Sequence, residues 1–443
     1  MGHKRISRRT FVEGVGTGLA FTVVPRHVLG RGFLAPSDKL NVACIGAGGM
    51  GANDVTGMAR TDNIYALCDV DDHQAARMVA AHPRAKRYQD FRVMLEREGR
   101  HIDAVMVSTP DHTHAAAGLL ALKMGKPTRI QKPLARTIWE VRQLADAARR
   151  AKVATQMGNQ GHAQEGTRQM REWVEAGAIG TVRTIELWTN RPIWPQAIER
   201  PLEEYHTPPW LDWDLWLGPV AARPYHPAYA PFRWRGWWDF GTGALGDIGC
   251  HSMDASFWAL DLGYPSRIEA ESTKLFPETA PAVSRIAYTF PAKGARPEIT
   301  VVWRDGSLYP SRPREVAEAA LWPPENSGQL WIGDDGKLIA GIYGDDPRLL
   351  DPARQAEITA NPPAQKYPRT EGVYAEWSAA CKGGPPAGAN FDYAGRLTEM
   401  VLLGNLAVRM GQPLDVDPQT GEIKTAGVPA EYIKPAYRPG WGL

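Results

Sequence analysis

The sequence predicts an α/β protein in which an N-terminal, doubly wound parallel sheet is followed by an α+β domain with a large, mostly antiparallel open sheet. From residue 38 to about residue 150, short apolar runs alternate with helix-compatible segments. This alternation is the pattern of a parallel sheet covered by helices on both faces. A glycine-rich turn joins the first run to the first helical segment. After about residue 157 the runs take a period of two residues, which favours antiparallel strands.

The bulk composition narrows the classes of partner. The chain has 443 residues, enough for two or three domains, and a formal net charge of +2. That charge gives no reason to expect nucleic acid or stable insertion in a membrane. The four cysteines form no C-x-x-C pair, and His112 and His114 lack an evident third ligand. We therefore expect no metal site.

Residues 1–35 are predicted to be an export signal and linker. Residues 7–13 read Ser-Arg-Arg-Thr-Phe-Val-Glu, and a short apolar stretch follows at residues 14–25. The pattern resembles a twin-arginine signal, which would direct the chain to the periplasm or another extracytoplasmic space. The stretch is too short and too rich in glycine to span a bilayer. An ordinary basic N-terminus is the alternative, and cleavage of the signal stays open.

Residues 36–156 are predicted to form an NAD-binding domain of the Rossmann type. The first apolar run, residues 40–45, leads directly into a G-x-G-x-x-G turn made by Gly46, Ala47, Gly48, Gly49, Met50 and Gly51. The glycines allow a tight turn and close approach of a diphosphate, which the amides of the next helix then bind. The second run ends in Asp69, where a carboxylate would accept from ribose hydroxyls and repel a 2′-phosphate. NAD is therefore favoured over NADP.

The alternation then continues along the chain. A strand at residues 103–108 is followed by a helix at residues 112–124, a short strand ending at Gln131, and a helix that runs through residue 150. Strand, helix and strand in this order predict right-handed crossovers in one parallel sheet.

Together these motifs resemble the glucose–fructose oxidoreductase / inositol dehydrogenase family (Gfo/Idh/MocA). The further matches are Thr-Pro-Asp-His-Thr-His at residues 109–114, Lys-Pro at residues 132–133, and Gly-Asp-Ile-Gly-Cys-His at residues 246–251. Residues 158–162 and 237–243 look like those of exported bacterial members. The family usually has a glutamate before Lys-Pro, whereas this chain has Gln131.

The resemblance implies which residues form the site. Beyond the glycine turn and Asp69, the cofactor contacts would come from Ser108, Thr109, Pro110, His114, Gln131, Lys132, Asn159 and Gln160. Lys132 would hydrogen-bond the reacting hydroxyl and stabilise alkoxide charge. His251 would be the general base, and Asp247, four residues earlier on a helix, would bind a substrate hydroxyl and orient the imidazole through a shared hydrogen bond. His162 is a further catalytic candidate.

Each assignment has a simpler structural alternative. Lys132 could be a surface lysine before a proline. Asp247 and His251 could be a helix N-terminal acid and a packed histidine. Asn159 and His162 could belong to a turn that serves backbone geometry only.

Residues 157–443 are predicted to form the substrate-binding and oligomerisation domain. Period-two runs lie at residues 182–188, 268–276, 284–290, 298–303 and 329–332. Proline-rich insertions interrupt them at residues 308–326 and 345–369. Helical stretches at residues 374–381 and 393–410 are expected to return to the nucleotide domain. By resemblance, the sheet builds a homodimer or homotetramer.

Half of the 16 tryptophans lie between Trp188 and Trp238, interleaved with Tyr225, Tyr229, Phe232 and Arg233. A cleft that stacks sugar faces on aromatic rings would explain this cluster. Core or interface packing would explain at least part of it equally well.

The resemblance implies an oxidoreductase that moves a hydride between NAD and a hydroxyl carbon of a sugar, glycoside or polyol. Export sharpens this hypothesis, because free NAD is scarce outside the cytoplasm and the cofactor must then stay tightly bound. The alternative is a redox-neutral, NAD-dependent glycoside hydrolase that oxidises a ring hydroxyl, eliminates the aglycone, adds water and reduces the ketone. A third possibility is a non-catalytic NAD-binding protein.

Overall fold

The first sheet confirms the predicted doubly wound domain. The computed structural model describes residues 38–442, so the predicted export signal at residues 1–35 lies outside the described residues. The sheet has six parallel strands in the spatial order β3-β2-β1-β4-β5-β6. They are β1 (Asn41–Ile45), β2 (Asn63–Cys68), β3 (Lys86–Tyr88), β4 (Ala104–Val107), β5 (Thr128–Gln131) and β6 (Thr155–Gly158). The order reverses between β1 and β4, and ligands bind at such a switch point, beyond the carboxyl ends of the strands.

Five helices connect these strands, and side chains cap the starts of three of them, α2, α3 and α5. They are α1 (Gly49–Met58), α2 (Asp72–Ala81), α3 (Phe91–Glu98), α4 (Asp111–Lys123) and α5 (Ile138–Ala151). Asp71 caps α2 by accepting from the amides of His73 and Gln74. Thr137 and Glu140 form a capping box at the start of α5. The two central strands, β1 and β4, are apolar and buried because helices cover both faces of the sheet, whereas the edge strand β3 is polar and largely exposed.

The second sheet has eight strands and is mostly antiparallel, as predicted. Its order is β13-β12-β11-β7-β10-β9-β8-β14, and only the β7–β10 pair is parallel within residues 38–442. The strands are β7 (Val182–Trp188), β8 (Arg267–Ser272), β9 (Ser284–Phe290), β10 (Ile299–Arg304), β11 (Gly328–Gly333), β12 (Lys337–Gly341), β13 (Arg348–Leu349) and β14 (Leu414–Asp415). Burial alternates along β9, as the period-two pattern predicts.

The remaining helices lie before, between and after these strands along the chain. They are α6 (Glu165–Glu175), α7 (Trp213–Leu217), α8 (Gly243–Ser252), α9 (Asp254–Ala259), α10 (Pro352–Ala360), α11 (Val373–Cys381), α12 (Phe391–Met410) and α13 (Ala430–Ile433). Two 3₁₀ turns, Gln160–Ala163 and Arg233–Gly236, flank the site described below. Within residues 38–442, every helix is too short or too polar to cross a lipid bilayer.

Two helices differ from the sequence prediction. The proline-rich insertion at residues 345–369 contains α10, which Asp351 caps and a proline begins. That proline does not break the helix, because the first helical position has no internal hydrogen bond to lose. Helix α6 lies in the region where period-two runs predict strands, and its amphipathic pattern, which buries Met170 and Trp173, was not identified in the sequence.

Helices α11 and α12 pack against elements of the parallel sheet. The hydroxyl of Tyr374 on α11 donates to Asp54 on α1 at 2.8 Å. On α5, Arg142 donates to Glu399 of α12 at 2.8 Å. These contacts bring the end of the chain back to its nucleotide-binding part. The boundary near residue 156 stays a prediction, because residues 40–443 form a single compact unit.

Candidate active site

A cavity of about 640 Å³ lies at the switch point of the first sheet. Its size suits a small-molecule ligand. The glycine turn and Asp69 line one end, and Lys132, Asp247 and His251 line the other. The predicted cofactor and catalytic groups therefore share one continuous space.

The glycine turn is shaped for close approach of a ligand. Gly46 has φ +87°, and a Cβ there would lie 2.5 Å from the carbonyl oxygen of Ser108. A Cβ at Gly51 would lie 2.4 Å from the carbonyl oxygen of Gly46, so only glycine allows α1 to start this close to the turn. Gly49 faces open space. This cradle fits the diphosphate of a dinucleotide.

Asp69 closes the cradle from the second strand. Its Oδ2 accepts from the amides of Ala47 and Gly48 at 2.8 and 3.2 Å, and its Oδ1 accepts from Asp71 at 3.0 Å. Burial raises the pKa of Asp69 above its usual range, although the backbone amides oppose that shift. Oδ2 uses both of its lone pairs on these two amides, whereas Oδ1 keeps a second lone pair that can accept from a ribose hydroxyl.

The middle of the cavity is lined by Ser108, Thr109, Pro110, Gln131 and Gln160. Behind it lies the fully buried carboxylate of Asp54, which sequence reasoning missed. Asp54 accepts from Ser108 Oγ at 2.6 Å and from Gln131 Nε2 at 2.7 Å. It also pairs with Arg129 Nη1 at 3.2 Å. Asp54 thereby fixes two of the predicted cofactor residues.

At the far end, three cations surround the carboxylate of Asp247. Lys132 Nζ donates to Asp247 Oδ1 at 2.9 Å and also to the backbone oxygen of Asp247. Arg235 Nη1 lies 3.2 Å from Oδ1, and Arg191 Nε lies 3.8 Å from Oδ2. Burial disfavours the charged carboxylate, but Lys132 and Arg235 outweigh it and hold the pKa of Asp247 well below its usual range. Asp247 is therefore ionised at neutral pH.

His251, one helical turn later on α8, has its own partner. Its Nδ1 lies 2.6 Å from Asn159 Oδ1, and Asn159 Nδ2 donates to the carbonyl oxygen of Cys250 at 3.0 Å. The second bond orients the amide, so Nδ1 carries the proton and Nε2 has the free lone pair. Burial lowers the pKa of His251 well below its usual range; Lys132 adds to this effect and Asp247 opposes it. His251 is thus a neutral acceptor that lines the cavity.

The prediction of a hydrogen bond between Asp247 and His251 is wrong. The spacing of four residues does bring both side chains to the cavity. Lys132 donates to the carboxylate, whereas the imidazole donates from Nδ1 to Oδ1 of Asn159. Asn159 therefore orients the ring from behind, outside the cavity lining.

Several other predicted residues also lie outside the lining. His162 Nδ1 is 3.0 Å from both carboxylate oxygens of Asp254, and its ring packs on Tyr393. This placement removes the geometric support for a catalytic role of His162. His114 faces the carbonyl oxygens of Pro133 and Thr109, both at 2.9 Å, and joins two loops that line the cavity. Ala47 and Gly51 act through the backbone, as described above.

The aromatic residues of the tryptophan-rich segment divide between a packed core and the cavity wall, so the prediction of a sugar-stacking cleft stays a prediction. Trp213, Trp237, Tyr229 and Phe240 pack in a buried aromatic cluster. Other rings line the substrate end of the cavity: Trp194, Trp216, Phe232, Trp234 and Tyr343.

Sequence reasoning missed the two arginines beside Asp247. Arg191 follows β7 before a proline, and Arg235 lies among tryptophans in a 3₁₀ turn. Arginines between aromatic residues can indicate a ligand-binding segment. Nothing in the sequence indicates, however, that Arg191 and Arg235 lie beside Asp247 on α8.

The switch-point cavity and its glycine turn place the chain among the dinucleotide-binding α/β proteins. Residues 40–159 match the model described as the oxidoreductase family, NAD-binding Rossmann fold, and residues 168–299 match its C-terminal α/β domain. Together the two ranges cover more than half of the chain. The chain belongs to the Gfo/Idh/MocA family, and the expected NAD-binding Rossmann fold is confirmed.

Curated relatives match parts of the chain. "Inositol 2-dehydrogenase 3" of Saccharopolyspora erythraea is 28% identical over 196 residues, which are 42% of this chain and 57% of that protein. A "Glycosyl hydrolase family 109 protein" of Solibacter usitatus is 28% identical over 167 residues, 33% of this chain and 38% of that protein. The chain thus matches only 38% to 57% of the length of these relatives.

Solved structures share the fold over most of the chain. The WlbA dehydrogenase of Bordetella pertussis, in complex with NADH and UDP-GlcNAcA, aligns with a TM-score of 0.60 and 15% identity. The alignment covers 86% of this chain and 99% of that chain. At this identity the likeness shows the fold alone.

Proposed function

We propose that the chain is an NAD-dependent oxidoreductase that transfers a hydride between tightly bound nicotinamide and a hydroxyl-bearing carbon of a sugar, glycoside or polyol. The observation that carries the proposal is the shared cavity, with a dinucleotide cradle at one end and Lys132, Asp247 and a neutral His251 at the other. The inositol dehydrogenase among the relatives supports the class of substrate.

Lys132 would bind and polarise the reacting hydroxyl. Two of its three N–H donors point at Asp247 Oδ1 and at the backbone oxygen of the same residue. The third is left for the substrate oxygen. The ammonium would stabilise the negative charge that develops there, and Asp247 holds it in place. Bound NAD would supply the nicotinamide ring as hydride acceptor.

His251 would remove the hydroxyl proton. Because Asn159 fixes the proton on Nδ1, the free Nε2 can accept one from the substrate. The imidazolium formed in this step would be stabilised by the nearby charge of Asp247, which raises the pKa of His251 against the effects of burial and Lys132. The proton thus moves from the substrate oxygen to Nε2 and leaves through solvent or a second substrate.

The proposal is tested by what the purified protein carries and what it oxidises. Mass spectrometry of the supernatant after denaturation should detect NAD rather than NADP. A panel of sugars and polyols, mixed with the holoprotein, should include at least one that reduces the bound nicotinamide in a single turnover. Bound NAD with no reduction by any member would favour a non-catalytic NAD-binding protein.

A redox-neutral glycoside hydrolase is the second candidate, favoured by the relative named as a family 109 glycosyl hydrolase. It would use the same first step and return the hydride within the cycle. Glycosides with a chromogenic aglycone, incubated without any electron acceptor, separate the two candidates. Sustained release of the aglycone would favour the hydrolase, and none would favour the oxidoreductase.

We also propose twin-arginine export and a homo-oligomeric state. Export rests on the motif at residues 7–13. Replacing Arg8 and Arg9 by lysine should retain the protein in the cytoplasm, as cell fractionation would show. The dimer or tetramer rests on the family's open sheet, and analytical ultracentrifugation would test it by giving the mass of the particle.

A further inference from the structure

The substrate end of the cavity carries a surplus of positive charge. Lys132, Arg191 and Arg235 all face the single carboxylate of Asp247. The other acid lining this end, Asp111, accepts from Thr242 at 2.7 Å, and burial raises the pKa of its carboxyl above the usual range. With both acids ionised, three cations still exceed two anions.

The other acidic residues of the lining do not remove this surplus. Asp69 and Asp71 lie at the glycine-turn end, where they accept from backbone amides. Oxidised nicotinamide would add a further positive charge near Lys132. A partly buried surplus of this kind is unfavourable until an anion neutralises it.

The two arginines also have donors to spare. Within residues 38–442, Arg235 makes an ion pair with Asp247 but no hydrogen bond, its side chain is 21% exposed, and it lines the cavity. Its guanidinium lies 4.3 Å from the ring centre of Trp234. Arg191 donates from Nη1 to Asn190 at 2.8 Å, which leaves its remaining N–H groups open. Ring packing and the ion pair with Asp247 therefore orient Arg235, and its N–H groups other than those on Nη1 stay available.

We infer that the substrate carries an oxyanion, a carboxylate or a phosphate, and that Arg191 and Arg235 bind it. A planar guanidinium matches either group with two parallel hydrogen bonds. The aromatic rings of Trp194 and Phe232, which also line this end, would pack on the sugar face beside the anion. The inference rests on the proposed function, because it takes the anionic ligand to be the sugar that is oxidised.

Calorimetric titration of the NAD-loaded protein tests the inference without requiring turnover. The probes are three sugar series, gluco, galacto and manno, each as the neutral hexose, the uronate and the 6-phosphate. The probe that binds most tightly should be anionic. Its dissociation constant should be at least about tenfold lower than that of its neutral partner, as expected for one or two charge-assisted hydrogen bonds. Preference for uronate or for phosphate identifies the source of the anion.

Arginine variants locate the anion. Arg235→Gln and Arg191→Gln should each lower affinity for the anionic probe about tenfold more than affinity for its neutral partner. Arg183→Gln is the matched control, because Arg183 is exposed and pairs with Asp334 on the second sheet. That control should leave the ratio unchanged.

The result that overturns the inference is a neutral hexose that binds as tightly as every anionic partner, or anionic probes that all fail to bind. Equal loss in Arg183→Gln would also overturn it. Parallel reduction of bound NAD separates the two proposals. If neutral sugars reduce NAD and no anionic probe binds more tightly, the proposed oxidoreductase activity holds and the anionic substrate is refuted. If anionic probes bind selectively but none reduces NAD, only the proposed oxidoreductase activity is refuted.

Discussion

The contact between Asn159 and His251 makes the proposed base directly testable. Asn159 Oδ1 lies 2.6 Å from Nδ1, and the Asn159 amide is itself oriented by the carbonyl oxygen of Cys250. Asn159→Ala would remove the acceptor, leave a buried N–H without a partner and free the proton to move to Nε2. A ring protonated on Nε2 cannot accept the substrate proton.

The size of the effect follows from that unsatisfied donor. A buried polar group without a partner costs about 1–3 kcal/mol, which corresponds to about 5- to 150-fold in rate. His251→Ala, which removes the base itself, should slow the step by about two to four powers of ten. Asn159→Asp keeps an acceptor in place, so it should restore most of the rate that Asn159→Ala loses.

The pH profile separates orientation from a general loss of structure. Because burial holds the pKa of His251 well below its usual range, the wild-type rate should be flat around neutral pH and fall only in the acid range. A carboxylate at residue 159 favours the imidazolium, so Asn159→Asp should move this acid limb to higher pH. His251→Ala should abolish the limb.

The assay is single-turnover reduction of bound NAD, followed by nicotinamide absorbance from about pH 5 to about pH 9. Asn361→Ala, at an exposed helix end, is the control and should match the wild type. Equal losses in Asn159→Ala and Asn159→Asp with an unmoved limb would refute the orienting role. A limb that persists in His251→Ala would place the base elsewhere.

Three further predictions follow from the site. Lys132→Met should keep bound NAD, measured by mass spectrometry, but lose single-turnover reduction; near-wild-type reduction would contradict its role. Asp69→Ser should weaken NAD binding and relax the preference over NADP, because a carboxylate that repels the 2′-phosphate is lost; an unchanged ratio of the two dissociation constants would refute this. Asp247→Asn should lower the free energy of unfolding by about 3 kcal/mol at pH 7, because it leaves the surrounding cations unpaired. The contribution of Asp247 is present above its unfolded pKa of about 3.9 and is lost as pH falls towards its lower folded value, so the difference in Tm should shrink below about pH 4.

The parallel sheet could be predicted because its signals are local. The central strands β1 and β4 are short apolar runs, and the glycine turn and Asp69 directly follow the ends of β1 and β2. Strands β13 and β14 were missed because two residues carry no periodicity, and their pairing depends on distant chain segments. Local pattern thus predicts elements well only where the element is long enough to repeat.

In the candidate site, too, local motifs could be predicted and contacts between distant segments could not. Lys132, Asp247 and His251 belong to motifs that can be read in sequence, and all three line the cavity. The partners of those residues cannot be read in this way. Asn159 is 92 residues from His251, and Arg129 is 75 residues from Asp54. Spacing within one helix suggested a bond between Asp247 and His251, but stronger partners from other segments compete for both groups.

The buried pair of Asp54 and Arg129 explains why an amide suits position 131. Gln131 Nε2 donates to Asp54 Oδ2 at 2.7 Å, and the side chains of Asp54 and Arg129 are fully buried. A glutamate here would set a second carboxylate against Asp54, with only Arg129 to neutralise both. Like charges at that distance force one carboxyl to take up a proton. The glutamine instead donates a hydrogen bond to the single buried carboxylate, while Asp247 supplies the negative charge beside Lys132. The charge balance at Lys132 therefore depends on α8, not on the residue that precedes it in sequence.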